Sequence, residues 1–348
     1  MGFPFTDLAA LRAAGFDAII DVRSPSEFAE DHLPGAVSMP VLSDAERATV
    51  GTIYKQESPF KARKIGAALV ARNAANHIET RMMGHSGGWR PLVYCWRGGQ
   101  RSGSFASILQ QIGWRAEVLE GGYRTWRRHV VGQLYHSVLP FRVIRLDGYT
   151  GTAKTEVLDR VASLGGQVID LEGLARHRGS ILGDVVGEQP SQKAFESALI
   201  GAMSGLDPAR PVLIEAESAR IGALRLPPAL WAAMRTAPRI VLEAEPGARA
   251  RYLAGIYADL VADAVGLTRR LNGLRSIAGH TTVDGWIALL QAGQAEALAR
   301  ALIEVHYDPA YARLRREDDT PVLAQIDAAN LDPAACDAAA HAVSAHLG

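Results

Sequence analysis

The chain has 348 residues, more than a single hydrophobic core usually supports, so two domains are expected. Lysine plus arginine and aspartate plus glutamate each number 37 and 48 % of the residues are hydrophobic, which argues against a basic nucleic-acid coat and describes a soluble globular protein. Two cysteines in unrelated contexts, Cys95 and Cys336, argue against a disulfide framework or zinc site; with no basic start before an apolar stretch and no apolar run of about 18 residues, a cytoplasmic protein with no membrane partner is expected.

The first predicted strand is the apolar run Ala18-Ile19-Ile20, ending on Asp21-Val22-Arg23. Ser24-Pro25-Ser26-Glu27-Phe28 follows, a helix start with proline in its first turn. Pro91-Leu92-Val93-Tyr94 is a second short strand, leading through a glycine-rich loop to a helix over 102–112. Ala116-Glu117-Val118-Leu119 is a third, ending on Glu120-Gly121-Gly122. Strands alternating with helices predict an α/β domain with a parallel sheet. The pattern loosens over 129–141, and Phe141-Arg142-Val143-Ile144-Arg145-Leu146 begins a new strand, so the expected domains are 1–135 and 136–348. In the second domain Gln167-Val168-Ile169-Asp170, Pro211-Val212-Leu213-Ile214-Glu215 and Arg239-Ile240-Val241-Leu242-Glu243 each end on an acid, at the carboxyl ends of strands where open sheets bind ligands. The alanine-rich tail, 282–348, is mostly helical by propensity.

Cys95 directly follows the second strand and heads the loop Trp96-Arg97-Gly98-Gly99-Gln100-Arg101-Ser102. Backbone N–H groups in such a turn, with a helix N-terminus starting near Ser102, create positive potential at the sulfur. Arg97 and Arg101 reinforce it, so a depressed thiol pKa is expected. Cys95 and Arg101 also satisfy C-x5-R, the spacing with which cysteine phosphatases grip a tetrahedral oxyanion, although Tyr94 stands where many of those enzymes have histidine. The surroundings separate these readings. Asp21-Val22-Arg23, Glu27-Phe28, His32-Leu33-Pro34-Gly35-Ala36 and Met39-Pro40, then Leu119-Glu120-Gly121-Gly122-Tyr123 and Trp126, resemble the opening and closing signatures of the rhodanese family over about residues 5 to 130. That resemblance implies that Cys95 carries sulfur or selenium. Asp31 departs from it, since glycine usually precedes the histidine, and the expected consequence is confined to a turn.

Gly148-Tyr149-Thr150-Gly151-Thr152-Ala153-Lys154-Thr155 lies between a predicted strand and helix, the context of a P-loop, and matches G-x-x-x-x-G-K-[ST] except at Ala153. Alanine adds a methyl group where the backbone passes close to phosphate, which weakens the match. Backbone amides would cradle phosphate, Lys154 would reach the outer phosphate and Thr155 would ligate Mg²⁺. Glu215 stands where a Walker B acid does. Arg176, His177 and Arg178, in the run 170–180, and Arg220, after Glu215, are candidates for phosphate or RNA contact. The fold class is thus α/β, a rhodanese-like parallel-sheet domain followed by a P-loop NTPase-like α/β domain with a helical tail.

The order of these motifs, with the runs at 170–180 and 214–222 and the late Tyr307-Asp308-Pro309-Ala310-Tyr311, resembles the tRNA 2-selenouridine synthase family over nearly the whole chain. That resemblance implies conversion of wobble-position 2-thiouridine to 2-selenouridine with selenophosphate, through an S-geranyl intermediate made from geranyl diphosphate, with no tightly bound cofactor. It implies that Gly148, Thr150, Gly151, Thr152, Ala153, Lys154, Thr155 and Glu215 bind the diphosphate, with Mg²⁺ as an accessory ion. The loop at Cys95, residues Trp96, Arg97, Gly98, Gly99, Gln100 and Arg101, would recognise selenophosphate. A tRNA anticodon arm as partner requires positive charge gathered locally. Candidates are Arg124, Arg127 and Arg128, or Arg269, Arg270 and Arg275, with Trp96 as a stacking platform. A thiosulfate sulfurtransferase coupled to a P-loop ATPase or kinase is the alternative.

Overall fold

A computed structural model of the chain describes residues 2–179 and 187–348. Two compact units emerge, Met1–Ser137 with Pro190–Gly205, and Val138–Gln189 with Leu206–Gly348. The expected cut at 135/136 therefore misplaces one segment. Residues 190–205 belong with the first unit because the helix Gln192–Met203 buries Phe195, Glu196, Ser197, Leu199 and Ile200.

The first unit is built on a five-stranded sheet, β1 (Gly2–Phe3), β2 (Ala18–Asp21), β3 (Ala36–Ser38), β4 (Pro91–Tyr94) and β5 (Glu117–Leu119). The order is β1-β5-β4-β2-β3 and every pairing is parallel. β4 is buried at all four positions, as expected of a central parallel strand covered on both faces. Ile20, Val93, Phe105, Leu109 and Trp114 are core residues. Its helices are α1 (Leu8–Ala13), α2 (Pro25–Glu30), α3 (Asp44–Gln56), α4 (Pro59–His77), α5 (Gln100–Ile112) and α6 (Tyr123–Tyr135). The sequence pattern did not reveal the α3–α4 hairpin. α3 buries no residue and α4 only Ala62, Val70 and Ala74, so neither carries a strong apolar stripe.

The second unit has its own parallel sheet of β6 (Val143–Gly148), β7 (Gln167–Ile169), β8 (Val212–Glu215), β11 (Arg239–Glu243) and β12 (Val322–Asp327), in the order β12-β11-β6-β8-β7. A small antiparallel ribbon pairs β9 (Arg220–Ile221) with β10 (Leu224–Arg225). β6 leads through the glycine loop into α7 (Lys154–Ser163), and β7 into the short α8 (Leu171–Ala175). The tail is mainly helical, but β12 interrupts it. This edge strand pairs with β11 through its backbone while exposing much of its side-chain surface, so its pattern carries little hydrophobic alternation. The helix Pro333–Ser344 returns to the sheet, where Cys336, Ala339, Ala340 and Val343 join Ile144, Leu146 and Val157. Among the described residues no helix is long and apolar enough to cross a membrane.

Candidate active site

Cys95 emerges from the carboxyl end of β4 and its loop runs straight into α5, whose first turn starts at Gln100 rather than Ser102. The loop's carbonyls are held from behind. The Tyr123 N–H donates to the Cys95 carbonyl at 2.9 Å, and the Arg124 N–H to the Trp96 carbonyl at 3.1 Å. This is why the closing signature contains glycine. Gly122 has φ 58°, and a β-carbon on it would stand 2.3 Å from the Cys95 carbonyl oxygen. Gly98, at φ 65°, is equally constrained, with 2.6 Å to the Leu119 carbonyl oxygen.

Cys95 is nearly buried, 3 % exposed, and its sulfur lies 3.2 Å from the Ser102 hydroxyl oxygen. Burial pushes the thiol up, but the Ser102 hydroxyl and amide, the Arg101 charge and the Arg97 amide outweigh it and hold the thiol below its ordinary value. Arg101 is itself fixed, donating to Glu27 at 2.9 Å. Glu27 also meets Arg47 at 2.9 Å and the Ser24 amide at 3.2 Å. Burial would raise its carboxyl; Arg101, that amide and Arg47 keep it below its ordinary value. The sulfur opens on a cleft of about 820 Å³ whose walls include Trp96, Gln100 and Arg101 on one side and Val50, Tyr54 and Val70 of the α3–α4 hairpin on the other. A thiol held below its ordinary value at the base of a cleft lined by Arg47, Arg97 and Arg101 is suited to chemistry on an oxyanion.

Asp31 does more than shape a turn. It is extended and buried, accepting from the Tyr123 hydroxyl at 2.7 Å and the Ser197 hydroxyl at 2.9 Å. The second of these bonds ties α2's end to the helix Gln192–Met203, labelled α9. Trp126 donates its indole N–H to the same serine at 3.0 Å.

In the second unit Ala153 takes the left-handed conformation, φ 57° and ψ 31°, that glycine ordinarily supplies. It is 4 % exposed and belongs to the apolar cluster with Val157 and Leu158, so its methyl group has a packing role. The Lys154 ammonium donates to the Gly148 carbonyl at 2.9 Å and the Tyr149 carbonyl at 3.4 Å, beside the mouth of the loop. Thr155 donates to Glu172 at 3.1 Å. Glu215 is fully buried and accepts the Glu172 amide at 2.7 Å; burial, then Asp170 and Glu172, push its carboxyl well up. Glu217 is pushed up to about 8 by burial and by Glu172, against the pull of Lys154. Thr152, Lys154, Thr155, Glu172, Glu217 and Tyr311 line a cleft of about 330 Å³.

The late Tyr-Asp-Pro-Ala-Tyr motif braces this loop, a role that its residue types did not disclose. Asp308 accepts from both terminal nitrogens of Arg249, at 2.9 and 2.6 Å. Arg249, 2 % exposed, donates through Nε to the Thr150 carbonyl at 2.9 Å. Tyr311, one helical turn beyond Asp308, lines the same cleft and hydrogen-bonds Thr150. Asp308 and Tyr311 are three residues apart, the spacing of one helix face, and that is the signal from which the brace was recoverable.

The four expected phosphate or RNA contacts are not gathered together. Arg178 lines the cleft beside the glycine loop but is paired with Asp259 at 3.1 Å. His177 is buried and accepts the Gly179 amide at 3.1 Å, Arg176 ends α8 in a left-handed conformation, and Arg220 sits on the β9–β10 ribbon. Ser180, the last residue of that run, lies outside the described residues. Of the basic candidates, Arg275 is tied to Asp284 and Arg127 to Glu196, whereas Arg124 and Arg128 are exposed. Among the described residues no group of three or more His, Cys, Asp or Glu is placed to hold a metal ion.

A parallel α/β unit presenting a buried cysteine in an amide-lined loop, in one chain with a P-loop-like α/β unit, defines a rhodanese-like domain followed by a P-loop-like domain. Family models agree, the Rhodanese-like domain matching residues 5–129 and the tRNA 2-selenouridine synthase AAA domain residues 141–284. The chain is similar to the tRNA 2-selenouridine synthase of Cupriavidus necator, 32 % identical over 90 % of this chain and 92 % of that protein. It is similar to that of Hahella chejuensis, 33 % identical over 84 % of each chain. The match to the protein of that name from Alcanivorax borkumensis is 36 % identical over 65 % of this chain and 62 % of that protein, so this alignment spans under two thirds of its length. The chain belongs to the tRNA 2-selenouridine synthase family.

Proposed function

We propose that the protein is a tRNA-modifying transferase that converts wobble-position 2-thiouridine to 2-selenouridine, with geranyl diphosphate and selenophosphate as co-substrates. In the first half-reaction the uridine sulfur attacks the allylic carbon of geranyl diphosphate; the carbon–oxygen bond breaks and diphosphate departs with the bonding electrons. The residues at the P-loop suit that leaving group. Its amides and the Lys154 ammonium stabilise the departing charge, and burial, which pushes both Glu172 and Glu217 up, opposes two full negative charges in the cleft. Thr155 and Glu172, 3.1 Å apart, are the residues that would hold Mg²⁺, which would supply positive charge to the leaving group. Lys154, Thr155 and the loop backbone bind and orient the diphosphate.

S-alkylation makes the sulfur a better leaving group. In the second half-reaction the selenide-level selenium of selenophosphate attacks uridine C2, geranyl thiolate leaves with the carbon–sulfur bonding electrons, and water then cleaves the phosphorus–selenium bond, releasing phosphate and 2-selenouridine. Cys95 serves this half. Loop amides and the anchored Arg101 recognise the selenophosphate oxyanion, and the Cys95 sulfur beside it orients the selenium toward uridine C2. The observation that carries this reading is the placement of Cys95, its sulfur 3.2 Å from the Ser102 hydroxyl and opening on a cleft lined by Arg97 and Arg101, in a unit distinct from the one bearing the P-loop, which supports a separate site for each half-reaction. Nucleoside analysis of tRNA from a selenium-fed strain lacking the gene tests it: 2-selenouridine is expected to disappear, and an undiminished level overturns the assignment.

A further inference from the structure

Beside the thiol cleft, and wholly within the first unit, lies a second cleft of about 570 Å³, lined by Trp96, Tyr123, Arg124, Arg128, His136 and Lys193. Trp96 lines both clefts and is half-buried, so its indole forms part of the boundary between the reactive sulfur and a basic groove. Its ring lies 5.2 Å from that of Tyr123, tilted by 35°, which supports it from one side.

The groove's charge is distributed unevenly. Arg127 is committed to Glu196, and Lys193 meets Glu30 at 2.6 Å. Arg124 and Arg128 have no carboxylate partner among the described residues. Among the described residues Arg128 reaches the Arg124 carbonyl at 3.3 Å and the Thr125 hydroxyl at 3.4 Å. These two arginines are four residues apart on α6, so they repel one another and are offset by about 6 Å along the helix axis. Two uncompensated guanidinium groups at that offset, next to an aromatic ring at the entrance to a reactive cleft, match a chain of alternating anions and flat rings. An acidic peptide supplies the anions but not the ring.

We infer that this face of α6 carries the sugar–phosphate strand of the anticodon loop, with Arg124 and Arg128 on phosphates and Trp96 stacking against the nucleotide that enters the thiol cleft. The inference rests on the reading of tRNA as substrate and adds where the RNA runs. Single-stranded loop bases are recognised by stacking on aromatic side chains, and phosphate contacts set the salt dependence of binding.

The test is a titration of a fluorescently labelled anticodon stem–loop RNA with the full-length protein at several salt concentrations. Arg124→Ala and Arg128→Ala are each expected to lower the slope of log affinity against log salt by about 0.7, and the double variant by about 1.4. Trp96→Ala is expected to weaken binding about tenfold with the slope unchanged, and Trp96→Phe to restore most of the loss. Arg12→Ala and Arg235→Ala, exposed and outside the groove, remove the same charge and are expected to leave the slope unaltered. Wild-type binding with an unchanged slope in the Arg124/Arg128 double variant overturns the groove alone. Failure of the wild-type protein to bind the RNA at low salt overturns both the groove and the tRNA reading beneath it.

Discussion

At the scale of single residues, Cys95 and Cys336 show how position decides thiol chemistry. Cys336 is enclosed in the apolar packing of the C-terminal helix and burial pushes its thiol up, whereas the loop around Cys95 overcomes burial. Iodoacetamide is therefore expected to label Cys95 and spare Cys336, with a labelling midpoint below the usual thiol value of about 8.5. Ser102→Ala removes a partner of the thiolate and moves that midpoint upward; an unmoved midpoint excludes Ser102 from activation. Glu217 supplies a pH dependence of opposite sense. Its folded-state value of about 8 lies above the ordinary carboxylate value. The neutral form thus contributes stability at low pH that is lost as pH rises through about 8, and above that the phosphate cleft gains a negative charge. Binding of inorganic diphosphate, measured by calorimetry, is expected to weaken across this range, and Glu217→Gln to flatten the profile. Cys95 and Lys154 were legible in the sequence because their partners lie within a few residues. The contact between Glu172 and Glu217 was not, because it depends on β7 and β8 lying side by side.

Among the elements, the P-loop depends on a brace from far along the chain. Arg249 is almost buried and its charge is satisfied by Asp308, which is itself part-exposed. Asp308→Ala strands that guanidinium and frees the Thr150 carbonyl. The expected loss is about 2 kcal/mol of stability, below the 3–5 kcal/mol of a fully buried broken pair, with a raised KM for geranyl diphosphate. Denaturation and steady-state kinetics check this, and a variant as stable as wild type with unchanged KM removes the brace from the account. The alternation of strand and helix that predicts both sheets is plain in apolar runs such as 91–94 and 211–215. α3, α4 and β12 escaped because none buries a continuous apolar face.

For the whole molecule, the chief departure from a linear reading is α9, which lies between P-loop-unit segments in sequence yet completes the first unit. Its Glu196 is fully buried, pairs with Arg127 and accepts the Tyr135 hydroxyl at 2.6 Å. Glu196→Ala leaves Arg127 without its counter-charge and is expected to cost about 3 kcal/mol in urea denaturation followed by tryptophan fluorescence; an unshifted transition denies α9 that role. No local signal places α9 there, since helical periodicity reports that a face is apolar and not which sheet receives it. The division of chemistry between the two units is the central claim. Its most direct measurement is nucleoside analysis of 2-thiouridine-containing tRNA incubated with geranyl diphosphate, selenophosphate and either Cys95→Ser or Lys154→Ala protein. The account predicts that Cys95→Ser accumulates S-geranyl-2-thiouridine without 2-selenouridine, while Lys154→Ala is impaired in forming the geranylated nucleoside. Equal loss of both products in both folded variants would contradict it.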